Sequence, residues 1–111
     1  MSERSDPLLL DDIRIAVDRI RSATRGLSFE AFDSDVVVQD AVIRNFEVIG
    51  EASKRISAEL KARHPSIDWR GMVGFRNFLI HVYFGVDLST VWQIIQDDLP
   101  VLGTQLKGIF A

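Results

Sequence analysis

The chain has 111 residues, 47% of them hydrophobic, which suits one domain with a buried core and leaves no room for a second domain. It contains no cysteine, so disulfides and thiolate metal sites are excluded. The net charge of −3 argues against holding nucleic acid by bulk charge, and such a ligand would need a locally basic groove.

The N-terminus lacks the basic region and long apolar run of a signal peptide, because Leu8-Leu9-Leu10 is followed at once by two aspartates. No uninterrupted apolar stretch approaches the roughly 20 residues needed to cross a bilayer. We therefore expect a soluble, cytoplasmic protein whose residues 1–111 form a single domain.

Apolar residues recur along the chain at the spacing of amphipathic helices, and no stretch alternates as a strand would. The first predicted helix runs from about Asp6 to Arg25 and ends at Gly26, and a turn over residues 28–32 then buries two aromatic rings. A second helix, capped by Asp33 or Ser34, runs to about Arg63. A third helix is capped by Asp68 and runs to about Tyr83, and a fourth is capped by Asp87 and runs to about Ile109. Four such helices with short connections predict an all-α, antiparallel four-helix bundle.

Several residues interrupt these helical patterns. Pro100 lacks a backbone N–H and is expected to kink or break the last helix near residues 96–99, which would make five helices. Gly71 and Gly74 each weaken their helix by roughly 1 kcal/mol relative to alanine, which suggests that a neighbouring backbone lies close to them. Val38 and Ile43 lie on an otherwise polar face and hint at a contact beyond one protomer.

Asn45 lies near the middle of the apolar face of the second predicted helix, between Val42 and Ile49. A buried amide without a partner costs on the order of 1–3 kcal/mol, so a hydrogen bond is expected there. The partner is either a backbone carbonyl or water, or else a catalytic group that Asn45 orients, and the sequence leaves both open. The opposite, polar face carries Arg44, Glu47, Glu51 and Lys54.

Residues 76–83 bring together Arg76, Asn77, His81 and Tyr83, the only tyrosine of the chain. Histidine moves protons near neutral pH, and the planar fork of arginine matches phosphate oxygens, so Arg76 and His81 suit cleavage of a phosphodiester. Tyr83 could hold a substrate by hydrogen bonding or stacking. From spacing alone, however, such residues more often pack within the bundle or form ion pairs than catalyse a reaction.

Spacing also limits how Arg76 and His81 can act together. Five positions along an ideal helix place them about 140° apart, whereas Asn77 and His81 share a face. Meeting at one phosphate requires a long reach by Arg76, a helix end near His81, or a site built from two protomers. We prefer a two-fold dimer, because it would also supply two imidazoles, one as base and one as acid. His64 and His81 are too isolated to indicate a metal site.

The string RNFLIHVYFGVD at residues 76–87 closely resembles the R-x-x-x-x-H-x-Y signature of HEPN domains, in particular that of HepT-like toxins of toxin–antitoxin pairs. Three further segments resemble the family in the same order, namely AVIRNFEVIGEASKRIS at residues 41–57, HPSIDWRGMVGFRN at residues 64–77 and VDLSTVWQIIQDDLP at residues 86–100. The resemblance extends over nearly the whole chain.

The resemblance implies a HEPN-like helical bundle that cleaves RNA as a homodimer without metal or other cofactor, with Arg76 and His81 catalytic. Tyr83 matches the tyrosine that a cognate minimal nucleotidyltransferase antitoxin can adenylylate, which would block the site. Asn77 follows the arginine as it commonly does in the family, and a supporting role for Asn45 is our own inference. Val82 departs from the polar or acidic residue that relatives often carry between the histidine and the tyrosine.

Two other hypotheses stay open at this point. HEPN-like bundles also serve as non-catalytic nucleotide- or partner-binding subunits of nucleotidyltransferase complexes, and the acidic balance of this chain fits that role. The chain could also be a helical dimerisation domain without a ligand. The expected partners are RNA, a second copy of the chain and the antitoxin, the last in a complex that could be larger than a dimer.

Overall fold

The computed structural model describes residues 4–81 and 87–110, without the side chains of residues 80 and 81. Within these residues the chain forms six helices and no strand, namely α1 (Asp6–Thr24), α2 (Phe29–Asp33), α3 (Val36–Arg55), α4 (Ala58–Arg63), α5 (Trp69–His81) and α6 (Leu88–Phe110). The predicted all-α class is confirmed. No helix of residues 4–81 or 87–110 is long and apolar enough to cross a membrane.

Helix α3 is central to the packing. It packs along α1 and along α5, while α6 packs against α1 and the short α2 bridges α3 and α6. Every helix contributes buried apolar side chains, which are Leu9, Leu10, Ile13, Ala16, Val17 and Ile20 of α1, Phe32 of α2, Val42, Phe46, Ile49 and Ala52 of α3, Leu60 of α4, Trp69 and Leu79 of α5, and Val91, Ile95, Leu99 and Leu106 of α6. These side chains follow the helical periodicity of the sequence, so the hydrophobic effect explains the bundle.

The half-buried Val38 and Ile43 pack against this same core. Both side chains therefore have contacts within one protomer, and the contact beyond it stays a prediction. The segment of residues 28–32, predicted as a turn, is mostly the short helix α2. Its Phe32 is fully buried, with its ring centroid 5.2 Å from that of Trp92, while Phe29 is partly buried.

Aspartate and serine side chains cap most helix starts. Asp68 accepts a hydrogen bond from the Gly71 N–H at 2.9 Å, and Asp87 accepts one from the Ser89 N–H at 3.1 Å, as predicted for these two helices. The predicted cap of the second helix is wrong, because Asp35 and neither Asp33 nor Ser34 caps α3. Asp33 ends α2 instead, and the Ser34 N–H is already bonded within that turn.

The long second helix predicted to reach Arg63 is also wrong. Ile56 leaves helical geometry at ψ 140°, and Ser57 starts α4 by accepting a hydrogen bond from the Leu60 N–H at 3.2 Å. The Ser57 N–H donates to Asp6 Oδ1 at 2.9 Å, and the Ser57 hydroxyl donates to Asp6 Oδ2. Asp6 therefore ties the start of α1 to the joint between α3 and α4, whereas the N-cap position of α1 belongs to Ser5.

Of two other irregular positions, Pro100 differs from prediction and Gly26 agrees with it. Helix α6 continues through Pro100 from Leu88 to Phe110, so the predicted break is wrong and the predicted kink stays a prediction. Its buried side chains lie on both sides of the proline, so packing supports the helix despite one missing backbone hydrogen bond. Gly26 has φ +76°, as expected for a glycine just after a helix end.

The close approach of helices occurs at Gly50 of α3. A Cβ there would collide with Arg76 Cβ and would lie 3.0 Å from the Met72 carbonyl oxygen, both on α5. The approach predicted at Gly74 is wrong, because a Cβ there would have nothing within 4 Å. At Gly71 the three nearest atoms to a Cβ belong to the side chain of Asp68, which caps the same helix, and not to a neighbouring backbone. The absence of a side chain at position 50 lets α5 lie close to α3, and this contact places Arg76.

Candidate functional site

Arg76 lies in the middle of α5 on the side that contacts α3. Its Cβ and Cγ lie over Gly50, and its guanidinium extends to two acceptors. Nη2 is 3.5 Å from Glu51 Oε2 of α3, and Nη1 donates to Asn77 Oδ1 at 3.2 Å. The Arg76 side chain is 30% exposed, so the guanidinium is accessible to a ligand while it keeps contacts with the protein.

The guanidinium borders a cleft of about 200 Å³ between α1, α3 and α5. We call it the arginine cleft, and its lining residues are Leu9, Asp12, Arg44, Glu47, Val48, Glu51, Ala52, Arg55 and Arg76. Three arginines and three acidic residues share this surface. Arg44 Nη1 lies 3.8 Å from Glu47 Oε2, and Asp12 pairs with Arg4 at 2.6 Å, so several of these charges are paired within the chain.

Arg76 and His81 both belong to α5, so the five-position separation on one helix that the sequence predicted is confirmed for the backbone. The His81 side chain and the whole of Tyr83 lie outside the described residues. Whether Arg76, His81 and Tyr83 meet at one point stays a prediction.

The two predicted asparagines have different surroundings. Asn77 is exposed and accepts the hydrogen bond from Arg76, which brings these two predicted site residues into contact. Asn45 is half-buried, and its Nδ2 donates to the Ala41 carbonyl oxygen one turn earlier in α3 at 2.8 Å. Of the two partners that the sequence left open for Asn45, the structure shows the backbone carbonyl.

Sequence reasoning missed two residues beside Arg76. Glu51 was assigned to the polar face of its helix, where it projects, but that face turns out to border α5 at this point. No role was predicted for Gly50, although a glycine inside a helix is destabilising and therefore suggests a structural reason. The adjacent pair Gly50-Glu51 inside a strongly helical stretch was the available signal.

A second cavity, of about 300 Å³, lies between α3, α5 and α6 away from Arg76. It is lined mainly by apolar side chains, which include Phe46, Met72, Phe75, Ile94 and Leu102. Its charged lining residues are Asp68 and Asp98, so it offers no cation to a phosphate. We therefore place the candidate site at the arginine cleft. Within residues 4–81 and 87–110, no three His, Asp or Glu side chains are grouped so that they could hold a metal ion.

The described residues define a class, which is a small all-α protein whose central helices hold a partly exposed arginine at a cleft. The sequence model described as "Ribonuclease HepT-like" matches residues 13–109. This chain therefore belongs to the HepT-like ribonuclease family.

Named relatives of similar length support this assignment. The chain is 45% identical over 108 residues to "Probable ribonuclease HepT" of Thermococcus cleftensis, which covers 97% of this chain and 94% of the relative. It is 35% identical over 107 residues to "Putative RNase MJ1380" of Methanocaldococcus jannaschii, with 96% and 98% covered. It is 36% identical over 101 residues to "Putative RNase TTE0752" of Caldanaerobacter subterraneus, with 91% and 87% covered. No solved structure matches the chain.

Proposed function

We propose that this chain is a metal-independent endoribonuclease that acts as the toxin of a toxin–antitoxin pair, with Arg76 and His81 as its catalytic residues. Membership of the HepT-like ribonuclease family over residues 13–109 carries the proposal. The partly exposed guanidinium of Arg76 at the arginine cleft supports it. Residues 1–111 act as one HEPN-like domain in the cytoplasm.

The proposed reaction needs only the RNA, Arg76 and His81. One imidazole takes the proton of the ribose 2′-hydroxyl, whose oxygen attacks the adjacent phosphorus. A second, protonated imidazole gives its proton to the leaving 5′-oxygen as the P–O bond breaks. Arg76 stabilises the negative charge that develops on the non-bridging oxygens. The products are a 2′,3′-cyclic phosphate and a free 5′-hydroxyl.

A two-fold homodimer is part of this proposal. Arg76 and His81 lie five positions apart on α5, so one helix does not direct both toward the same side. A symmetric pair of α5 helices would supply two imidazoles and two guanidiniums around one phosphate. The two proton transfers then have separate donors and acceptors.

The test is cleavage of end-labelled RNA by the purified protein in chelator. We expect cyclic-phosphate products from the parent and a loss of at least about 100-fold for His81→Ala or Arg76→Ala. A positioned acid–base group contributes about 10²–10⁴-fold, and a group that stabilises the charge of the transition state contributes about 10²–10³-fold. His64→Ala is the matched control, because His64 lies at the end of α4 and should leave activity unchanged. Cleavage that requires added divalent metal, or a fully active His81→Ala variant, would contradict the proposal.

We further propose that a cognate minimal nucleotidyltransferase antitoxin adenylylates Tyr83 and so blocks the site, in a complex that can be larger than a dimer. Tyr83 is the only tyrosine, so the modification can be assigned by intact-mass analysis after incubation with the antitoxin and ATP. The parent should gain the mass of adenylate and lose activity. Tyr83→Phe should gain none, and an adenylylated Tyr83→Phe chain would exclude this site.

The second candidate function is a non-catalytic nucleotide- or partner-binding subunit of a nucleotidyltransferase complex. Two observations favour this non-catalytic function. The three arginines of the arginine cleft are matched by three acidic residues, and the whole chain has a net charge of −3. A stable complex with the nucleotidyltransferase, together with no RNA cleavage and no growth arrest when this chain is expressed alone, would select this function.

A further inference from the structure

Helix α3 gives Arg76 two neighbouring residues with different effects. Gly50 leaves the space that Arg76 Cβ and Cγ occupy, so the arginine begins close against α3. Glu51, the next residue, places a carboxylate oxygen 3.5 Å from Arg76 Nη2. Because the two residues are adjacent, the spacing of the two helices and the ion pair depend on the same turn of α3.

The guanidinium is thereby held at two of its nitrogens. Glu51 lies at Nη2, and Asn77 accepts from Nη1 at 3.2 Å. A guanidinium has five N–H donors in a rigid plane, so contacts at two nitrogens define its orientation and leave other donors for a phosphate. A long side chain that is 30% exposed would otherwise sample several rotamers.

We propose that Glu51 is the positioning residue for Arg76, and that Gly50 sets the distance between α3 and α5 at which Glu51 can act. The inference rests on the proposed ribonuclease function, because it concerns the arginine of that reaction. Glu51 acts on the guanidinium and not on the RNA. It selects the orientation in which Arg76 faces the arginine cleft before substrate arrives.

The expected effects on folding and on catalysis differ in size. Glu51 is 49% exposed, and an exposed ion pair adds little to the stability of the fold. Catalysis is more sensitive, since a displacement of about 1 Å can cost about 100-fold in rate. Removal of Glu51 should therefore leave the chain folded while it impairs the reaction.

The first experiment compares Glu51→Ala and Glu51→Gln with the parent in steady-state RNA cleavage. We expect Glu51→Ala to lower kcat about 10- to 100-fold with KM changed by less than about threefold. Glu51→Gln keeps an oxygen at the same reach and should recover part of that loss. Asp40→Ala is the matched control, because Asp40 is an exposed carboxylate on the same helix α3 and does not border the arginine cleft.

A double-mutant cycle separates positioning from a direct role. If Glu51 acts only through Arg76, adding Glu51→Ala to Arg76→Ala should cause no further loss of kcat. Additive losses, equal losses for Asp40→Ala and Glu51→Ala, or a Glu51→Ala variant within twofold of the parent would each overturn the inference. A faster Glu51→Ala variant would also overturn it, since Glu51 would then oppose the arginine.

A second measurement does not depend on catalysis. The relaxation of the Arg76 Nε–H group in ¹⁵N-labelled protein should show greater motion in Glu51→Ala than in the parent and in Asp40→Ala. Unchanged motion overturns the inference even if the chain cleaves no RNA. If motion increases in a chain that cleaves no RNA, the contact between Glu51 and Arg76 is supported. The ribonuclease function is then rejected, and with it the role of this contact in catalysis.

Discussion

The two terminal nitrogens of Arg76 face different acceptors, Glu51 on α3 and Asn77 on α5. A side chain held in this way acts through the shape of its head group as well as through its charge. Lysine would carry the same charge as a single point without the planar fork. The contacts of Arg76 therefore allow charge and geometry to be tested separately.

We expect Arg76→Lys to retain the fold and to lose about 10- to 100-fold in kcat for RNA cleavage, because the ammonium cannot contact Glu51 and a phosphate with a fork. Arg70→Lys is the control, since Arg70 is exposed on the same helix. Steady-state kinetics of the two purified variants beside the parent check this. Equal activity of Arg76→Lys and the parent would show that charge alone suffices.

Asp6 is the second residue whose environment has a measurable consequence. Hydrogen bonds from the Ser57 hydroxyl and the Ser57 N–H lower the pKa of the Asp6 carboxyl below its ordinary value. A lowered carboxyl pKa means that the charged form is favoured in the folded state. This stabilisation is fully present above the ordinary value of about 3.9 and is lost as the pH falls through the lowered value.

Asp6→Ala should lower the free energy of unfolding by about 1–2 kcal/mol at pH 7, because two hydrogen bonds to a charged acceptor disappear. The difference from the parent should shrink as the pH falls below about 3.9. Urea unfolding at pH 7 and at lower pH measures both effects. Asp18→Ala is the control, since Asp18 is exposed and only weakly paired with Arg14 at 3.5 Å. A difference that stays constant with pH would contradict the assignment.

Single residues also show where sequence reasoning ends. The partner of Asn45 could not be chosen, since a backbone carbonyl and a catalytic group make the same demand on an amide. The contact of Asp6 with Ser57 joins positions 51 apart, and no local periodicity predicts such a pair. The caps Asp68 and Asp87 were predictable because each acts within three residues of itself.

At the scale of elements, the contact between α3 and α5 depends on one missing side chain. Gly50→Ala would force its Cβ against Arg76, and overpacking of this kind costs about 1–3 kcal/mol. Gly74→Ala on α5 meets nothing within 4 Å and should instead stabilise the helix by up to about 1 kcal/mol. Thermal or urea unfolding of the two variants should therefore give shifts of opposite sign. A Gly50→Ala variant as stable as the parent would refute the close approach.

The positions and faces of the helices were largely predictable, and their interruptions were not. Apolar spacing located the buried faces of α1, α3 and α6, because burial selects the same side chains that periodicity reveals. The break at Ser57 escaped detection, since serine is tolerated within helices and its capping role depends on Asp6. At Pro100 the sequence predicted a break that does not occur, because packing on both sides of the proline keeps α6 continuous.

At the scale of the whole molecule, the dimer predicts that one defective protomer disables the shared site. A mixed dimer of the parent and His81→Ala keeps one His81 imidazole where the proposed reaction uses two. Co-expression of the two chains with different tags, followed by tandem purification and an RNA cleavage assay, tests this. We expect the mixed dimer to lose at least about 100-fold in activity, as the His81→Ala homodimer does. A mixed dimer with half of the parent activity would show that each site lies within one protomer.

The family was accessible from the sequence, since the signature and three further segments lie in one order along the chain. The residues that contact Arg76 from another helix could not be predicted from the sequence. Glu51 and Arg76 are 25 positions apart and belong to different helices, so only the packing of α3 on α5 reveals that they meet. The sequence therefore supplied the hypothesis of which side chains react, and the structure adds which side chains contact one of them, Arg76.

The tie between Asp6 and Ser57 also bears on the order in which the chain is made. Both residues, with the packed helices α1 and α3, have been synthesised before the ribosome reaches α5. Domains generally fold as units, however, and α5 and α6 supply part of the core, so we expect the bundle to assemble only after α6 has been synthesised. We expect a nascent chain to become able to cleave RNA only late in its own translation.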